Sequence, residues 1–233
     1  MKFFKICGIA LVCGALLVSE TACNMSNTGK GALIGGGGGA AAGAGIGALI
    51  GGGKGAAIGS AIGAAVGAGA CALIGNRMDK QQRELEAQLA EQAKVEETTD
   101  ANGLRAIKVT FDGGILFATG KSELSQSARA NLAKFATSLN NNPNTNVQIY
   151  GYTDSTGSME ANQRVSTARA SAVQTYLANC GVSATRLYSQ GIPMADYVAS
   201  NETAEGRAQN RRVEIYISAN EEMIRQAEAG TLQ

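Results

Sequence analysis

The chain has 233 residues, including 31 glycines, and contains neither histidine nor tryptophan. The formal net charge of +1 gives no sequence-wide basis for binding nucleic acid, and without histidine the commonest general base and metal ligand is missing. We therefore expect no nucleic acid partner, no metal site, no cofactor and no enzymatic activity.

Residues 1–22 are typical of a secretory signal peptide, because a positively charged start precedes an apolar run, Ile6 to Val18, that is too short for an ordinary membrane span. Cys23 follows directly, and this arrangement resembles a lipoprotein signal in which the lipidated cysteine becomes the first mature residue. Residues 23–28 would then be the lipidated N-terminus. Asn24, in place of an inner-membrane retention aspartate, favours anchoring in outer-membrane lipid, with the chain facing the periplasm. Ordinary cleavage nearby, which would leave Cys23 as a free thiol, is the alternative.

Residues 29–75 form a glycine zipper, in which glycine recurs at every fourth position from Gly31 to Gly67 and Cys71 keeps the step. Small residues at this spacing let membrane helices approach closely. Two pieces, Gly31 to Ile50 and Gly55 to Gly75, are each long enough to cross about 30 Å of hydrocarbon. We therefore expect a membrane-associated helical hairpin, which would also allow a homo-oligomer. A flexible low-complexity spacer is the alternative, although a spacer needs no strict register.

Residues 76–100 change to a charged composition with an apolar stripe at Met78, Leu85 and Leu89. Such spacing among charges predicts a solvated or weakly coiled helix. We expect this helix to be a spacer between the membrane segment and a folded domain at residues 101–219.

The folded domain contains alternating strand and helix patterns. Alternation at Ile107, Val109 and Phe111 predicts the first strand, and Ser122 or Ser125 can cap the helix that follows. The later predicted boundaries are a helix end near Leu139, a strand at 147–150, a helix from about Met159 to Asn179, a strand from Arg186 to Gly191, a short helix near Thr203 and a strand from Arg212 to Ser218. This order predicts an α+β fold with two helices packed on a mixed β-sheet. The tail, residues 220–233, is expected to be a short charged helix at most.

The polar stretch from Tyr150 to Arg169 is the candidate functional site. Asp154 lies in a loop of turn-forming residues after a predicted strand. Asn162, Ser166 and Arg169 follow on one face of the next predicted helix. These groups together suit a ligand that carries both an amine and a carboxylate. Taken alone, however, Asp154 could complete an Asx-turn and Arg169 could be a solvated charge.

Four groups of residues around and beyond this stretch follow the pattern of a known family. They are Ile115-Leu116-Phe117 with Gly120 and Leu124, Thr153-Asp154-Ser155-Thr156-Gly157, Asn162 with Val165-Ser166 and Arg169-Ala170, and Asn210-Arg211-Arg212-Val213-Glu214-Ile215. In order and spacing, over about residues 104 to 218, they resemble the OmpA-like peptidoglycan-binding domain family.

The resemblance implies that Asp154 and Arg169 hold the free amine and carboxylate of diaminopimelate in the peptidoglycan stem peptide. The other pocket residues that it implies are Thr153, Asn162 and one of Arg211 and Arg212. Alternation places consecutive strand residues on opposite faces, so only one of these two arginines should reach the pocket, and the sequence leaves both open. At Gly120, where some members carry a polar side chain, any contact must come from the backbone.

The implied function is noncovalent peptidoglycan binding by an outer-membrane lipoprotein that tethers the outer membrane to the cell wall. An alternative is an oligomeric glycine-zipper pore or channel that its OmpA-like domain anchors to the wall, although the zipper contains no intramembrane carboxylate for an ion pathway. A peptidoglycan hydrolase would need an acid/base pair or a metal site, and the sequence around Asp154 offers neither.

Overall fold

The structure is a computed structural model that describes residues 66–118 and 120–232. The predicted signal peptide, Cys23 and most of the glycine zipper lie outside the described residues. The helices are α1 (Ala68–Leu89), α2 (Gly113–Leu116), α3 (Gln126–Asn141), α4 (Met159–Asn179), α5 (Ala204–Asn210) and α6 (Glu221–Glu228). The strands are β1 (Ala93–Thr99), β2 (Arg105–Asp112), β3 (Thr145–Tyr152), β4 (Leu187–Ile192) and β5 (Arg212–Ala219), with a 3-10 turn at Ala184–Arg186 before β4.

The strands form one sheet in the order β1-β2-β5-β3-β4, in which β3 and β4 are parallel and all other neighbours are antiparallel. Helices α3 and α4 pack on one face of this sheet and bury a continuous apolar core. Its central residues are Leu132, Phe135, Leu139, Val147, Ile149, Val173, Leu177, Val213 and Ile215. The predicted α+β fold, with two helices on a mixed sheet, is confirmed.

Side-chain caps fix where the two central helices begin. The Ser125 hydroxyl accepts a hydrogen bond from a first-turn amide at 3.0 Å and so starts α3. Ser158 does the same for α4, and Gly181, with a φ of 91°, ends α4 in the left-handed conformation that glycine adopts without strain. The helix predicted from about Met159 to Asn179 is therefore present, and it begins directly after the loop that carries Asp154.

The charged segment after the glycine zipper differs from the expected solvated spacer. Met78, Leu85 and Leu89 are fully buried, because α1 packs against β2, α3 and α6. Residues Ala93–Thr99 form β1, which pairs with β2 with Val95 opposite Val109, where a continued helix was expected. The predicted apolar stripe is present and faces the core. Its partner surfaces, however, come from residues far along the chain, which a local pattern does not reveal.

The end of the zipper segment also belongs to this packing. Ala70, Cys71 and Ile74 lie in the piece Gly55 to Gly75 that we expected to cross a membrane, and all three are buried in the domain core. Within residues 66–118 and 120–232, no helix is both long and apolar enough to span a membrane. Positions 68–75 are part of α1, and the predicted hairpin up to residue 65 lies outside the described residues.

The C-terminal tail forms a packed helix, whereas we expected a short charged one at most. Asn220 caps α6 by accepting a hydrogen bond from the Met223 amide at 2.9 Å. Met223, Ile224 and Ala227 are buried, and α6 packs against α1. The charged residues of the tail lie on the opposite side of an amphipathic helix. The charged composition of the tail therefore gave no indication that three of its residues belong to the core.

Candidate functional site

Two glycines bring α4 close to the sheet. Gly151 on β3 and Gly191 on β4 are register partners of the parallel strand pair. A Cβ atom on Gly151 would lie 2.5 Å from the Ser166 carbonyl oxygen, and one on Gly191 would lie 2.4 Å from the Thr167 amide nitrogen. Only glycine therefore permits this approach, which sets the polar face of α4 against the C-terminal ends of β3 and β4.

Asp154 lies just beyond the end of β3, with both carboxylate oxygens in hydrogen bonds. Its Oδ1 accepts from the Thr156 amide at 2.8 Å, and its Oδ2 accepts from Arg211 Nη1 at 2.6 Å. Burial alone would raise the pKa of Asp154, but the hydrogen bonds from Arg211 and Thr156 and the charge of Arg211 outweigh it, so the pKa is lowered. Asp154 is therefore an ionised acceptor at neutral pH.

Arg169 lies on the α4 side of the site and is only 5% exposed. Its Nε donates to the Lys121 carbonyl at 3.1 Å, and its guanidinium carbon lies 5.2 Å from the centroid of the Phe117 ring. Within the part of the chain that the structure describes, its two terminal nitrogens donate no hydrogen bond. Burial, and then the charge of Arg211, lower the pKa of Arg169, while Asp154 opposes them. This arrangement leaves a planar donor pair suited to a carboxylate.

Thr153 and Asn162 are buried beside Asp154 and are engaged with neighbouring loops. The Thr153 hydroxyl accepts a hydrogen bond from the Met194 amide at 3.0 Å. Asn162 Nδ2 donates to the Thr156 carbonyl at 2.8 Å and to the Ser158 carbonyl at 3.1 Å. Both side chains therefore fix the backbone around Asp154.

Arg211 and Arg212 point to different surroundings. Strand β5 begins at Arg212, and Arg211 precedes it as the residue that ends α5. Arg211 lies beside Asp154, whereas Arg212 is 5% exposed and contacts the face of the sheet that α4 does not cover. There its Nε donates to Glu214 at 2.7 Å, and its guanidinium carbon lies 3.8 Å from the Tyr152 ring centroid. Of the two arginines, Arg211 is the one at the candidate site.

The backbone of Arg211 is fixed by a close contact with Gly113. The Gly113 amide donates to the Arg211 carbonyl at 2.8 Å. A Cβ atom on Gly113 would lie 2.2 Å from that carbonyl oxygen, so the contact requires glycine. The start of α2, where Asp112 is the N-cap and Gly113 the first residue, thereby positions a residue of the site.

A separate groove of about 800 Å³ lies on the sheet face that Arg212 contacts. Lys108, Arg212 and Glu214 are among its lining residues. Glu214 Oε1 pairs with both cations, at 3.1 Å from Lys108 Nζ and 2.7 Å from Arg212 Nε. Burial would raise the pKa of Glu214, but these two cations and the Tyr216 hydroxyl lower it overall. These three charged side chains of the groove are therefore paired, in contrast to the terminal nitrogens of Arg169.

Three contacts of the site were missed from the sequence. Phe117 and the Lys121 carbonyl orient Arg169, and the Asn201 side chain accepts a hydrogen bond from the Ser155 amide at 3.2 Å. Gly120 gave a partial indication of the Lys121 contact, because glycine has no side chain and any contact at this position must come from the backbone. The neighbouring Lys121 carbonyl makes such a contact with Arg169. The other two contacts join residues that are distant in sequence.

Comparison with known proteins gives two family matches. Residues 116–211 match the OmpA family, and residues 1–79 match the YMGG-like Gly-zipper. The probable lipoprotein YiaD of Escherichia coli strain K12 is 41% identical over 112 residues, which cover 48% of this chain and 51% of that protein. The peptidoglycan-binding protein ArfA of Mycobacterium tuberculosis is 38% identical over 113 residues, which cover 48% of this chain and 35% of that protein.

The similarity extends to solved structures. The cell wall anchor of the T6SS from Pseudomonas aeruginosa aligns with a TM-score of 0.51 and 29% identity, covering 62% of this chain and 98% of that one. The two curated relatives are matched over only about half of their length or less, 51% and 35%. Residues 116–211 are therefore an OmpA family domain, and the chain joins this domain to a YMGG-like Gly-zipper segment.

Proposed function

We propose that this domain binds peptidoglycan noncovalently at the site formed by Asp154, Arg169 and Arg211. The observation that carries the proposal is an ionised carboxylate beside a buried guanidinium whose terminal nitrogens donate to no acceptor among the described residues. The comparisons support it, since ArfA is named a peptidoglycan-binding protein and the P. aeruginosa structure is that of a cell wall anchor.

The proposed ligand is diaminopimelate in the stem peptide, because its free end carries the two charges that the site complements. Its amine would pair with Asp154 Oδ2, and its carboxylate would accept two parallel hydrogen bonds from the guanidinium of Arg169. Hydrogen bonds to charged groups contribute about 1.5 to 3 kcal/mol each. A few such bonds, less the cost of ordering the ligand, give a single site modest affinity.

Thr153 and Asn162 act on this site through the loop that they hold. Their hydrogen bonds to the Met194 amide and to the Thr156 and Ser158 carbonyls keep Asp154 in place for an incoming amine. Preorganisation of this kind lowers the entropic cost of binding.

For the whole chain we propose a tether between the outer membrane and the cell wall. Lipidation at Cys23 would anchor the chain in outer-membrane lipid with the domain facing the periplasm, and the relative YiaD is named a probable lipoprotein. Self-association through the part of the glycine zipper that precedes α1 would bring several domains to one patch of wall. Many modest sites then hold the wall by avidity, and no covalent bond is made or broken.

Co-sedimentation of residues 66–233 with purified sacculi tests the proposal. The site variants are Asp154→Asn and Arg169→Gln. The matched controls are Glu160→Gln and Arg164→Gln, which remove an exposed ion pair on the same helix. The native protein and both controls should pellet, free diaminopimelate should compete, and both site variants should stay in solution. Pelleting of Asp154→Asn to the native extent would overturn the proposal.

A further inference from the structure

Arg211 donates to Asp154 Oδ2, the oxygen with which the ligand amine is proposed to pair. Both oxygens of Asp154 are in use, one by the Thr156 amide at 2.8 Å and the other by Arg211 Nη1 at 2.6 Å. The Thr156 contact lies within a loop that Asn162 fixes through the Thr156 carbonyl at 2.8 Å. An amine that pairs with Asp154 Oδ2 therefore competes with Arg211 for that oxygen.

The side chain of Arg211 is exposed to solvent, while its backbone is held by hydrogen bonds. The side chain is 41% exposed, against 9% for Asp154. Its carbonyl accepts from the Gly113 amide at 2.8 Å, and its amide donates to the Arg207 carbonyl at 3.1 Å. Arg169 is the reverse case, since burial and the Lys121 carbonyl hold its guanidinium in place. Of the two guanidinium groups at the site, that of Arg211 is the one able to follow a ligand.

Building on the function proposed above, we propose that Arg211 determines which amines the site accepts by exchanging one partner for another. In the empty site Arg211 pairs with Asp154. When a free amino acid end binds, the ligand amine pairs with Asp154. Arg211 then turns to the ligand carboxylate, which Arg169 also binds. A bare amine offers Arg211 no new anion.

Charge accounting gives the physical reason. Asp154, Arg169 and Arg211 together carry a net charge of +1. A zwitterionic amino acid end leaves this sum at +1, whereas a bare ammonium group raises it to +2 in a site where Asp154 and Arg169 are buried. The site should therefore reject a lysine side chain and accept the otherwise similar end of diaminopimelate. Arg211 is a specificity-determining residue in this account.

Two blocked ligands separate the possibilities. One is diaminopimelate with a single end converted to the N-acetyl amide, and the other is lysine blocked in the same way, so that they differ only in the carboxylate at the free end. Binding of each to the full chain in detergent would be measured by calorimetry for the native protein and for Arg211→Gln. The native protein should prefer the diaminopimelate ligand by at least about tenfold. In Arg211→Gln the ratio of the two dissociation constants should fall by about tenfold. The diaminopimelate ligand should bind more weakly and the lysine ligand more tightly than to the native protein.

Whether Arg211→Gln strengthens or weakens binding of the lysine ligand distinguishes partner exchange from a structural role of Arg211. If Arg211→Gln weakens both ligands by the same factor, the partner exchange is wrong while the proposed function stands. If the native protein binds neither ligand, the proposed function itself fails. Arg164→Gln, the same substitution at an exposed position of α4, should leave both affinities unchanged. Arg211→Lys, which keeps the charge, should retain part of the native preference.

Discussion

Gly151 and Gly191 face each other across the parallel pair β3 and β4, and together they form the surface on which α4 rests. The position of Arg169, and therefore the geometry of the proposed binding site, depends on this contact. The packing of helix against sheet and the ability to bind are thus linked through two residues that have no side chain.

Gly191→Ala should lower the free energy of unfolding and weaken sacculus binding together. The added Cβ would lie 2.4 Å from the Thr167 amide, which is backbone and cannot turn away, so α4 must shift. Overpacking of this kind costs about 1 to 3 kcal/mol, measured by urea denaturation. Gly75→Ala is the control, because a Cβ there meets nothing within 4 Å and alanine favours the helix. Equal stability of Gly191→Ala and the native protein would contradict this packing.

Asp154 should titrate below the ordinary aspartate pKa of about 3.9. Its lowered folded pKa means that the ionised form contributes stability above the unfolded pKa, and this contribution is lost as the pH falls through the folded value. Carboxyl-carbon NMR of the native protein should show this low value. In Arg211→Gln the pKa should rise, because the effect of burial is then opposed mainly by the Thr156 amide. An unchanged pKa in that variant would mean that the ion pair does not form in solution.

Arg186 should be a major contributor to stability although it lies outside the site. Its guanidinium donates to the carbonyls of Thr145 at 2.7 Å, Asn142 at 2.9 Å and Leu139 at 3.1 Å, and so ties the end of α3 to β3. Arg186→Met should lower the free energy of unfolding by about 2 to 4 kcal/mol, because three carbonyls lose a charged donor. Arg164→Met, which removes an exposed arginine, should change stability little. Similar losses in both variants would show that Arg186 has no special role.

Helix α1 should stabilise the domain. Met78 is fully buried, so Met78→Ala should lower the free energy of unfolding by about 2 to 5 kcal/mol. Lys80→Ala, on the exposed side of the same helix, should have little effect. If both variants unfold like the native protein, α1 is a spacer after all. Removal of residues 66–99 should likewise destabilise what remains, since β1 and α1 cover β2.

The sequence was most informative where structure is decided locally. The helix predicted from about Met159 to Asn179 is α4, and the Ser158 cap and Gly181 lie at its two ends. Only one of Arg211 and Arg212 lies beside Asp154, although Arg211 precedes β5 and strand alternation is not the cause. The placement of Asp154 after a strand and of Arg169 on the facing helix followed from the same kind of local pattern.

The features that escaped prediction depend on residues distant in sequence. The stripe of α1 is the same whether water or a sheet covers it, and only the folded chain shows that β2, α3 and α6 do so. Arg186 binds backbone carbonyls more than forty residues away, for which no side-chain pattern exists. The orientation of Arg169 by Phe117 and Lys121 is of the same kind.

The most direct test of the central claim is a crystal structure of residues 66–232 with the diaminopimelate ligand blocked at one end. We predict that the ligand amine lies within hydrogen-bond distance of Asp154 Oδ2, that its carboxylate meets the terminal nitrogens of Arg169, and that Arg211 has left Asp154. A ligand found in the groove beside Arg212, with the pair between Asp154 and Arg211 intact at 2.6 Å, would contradict the account.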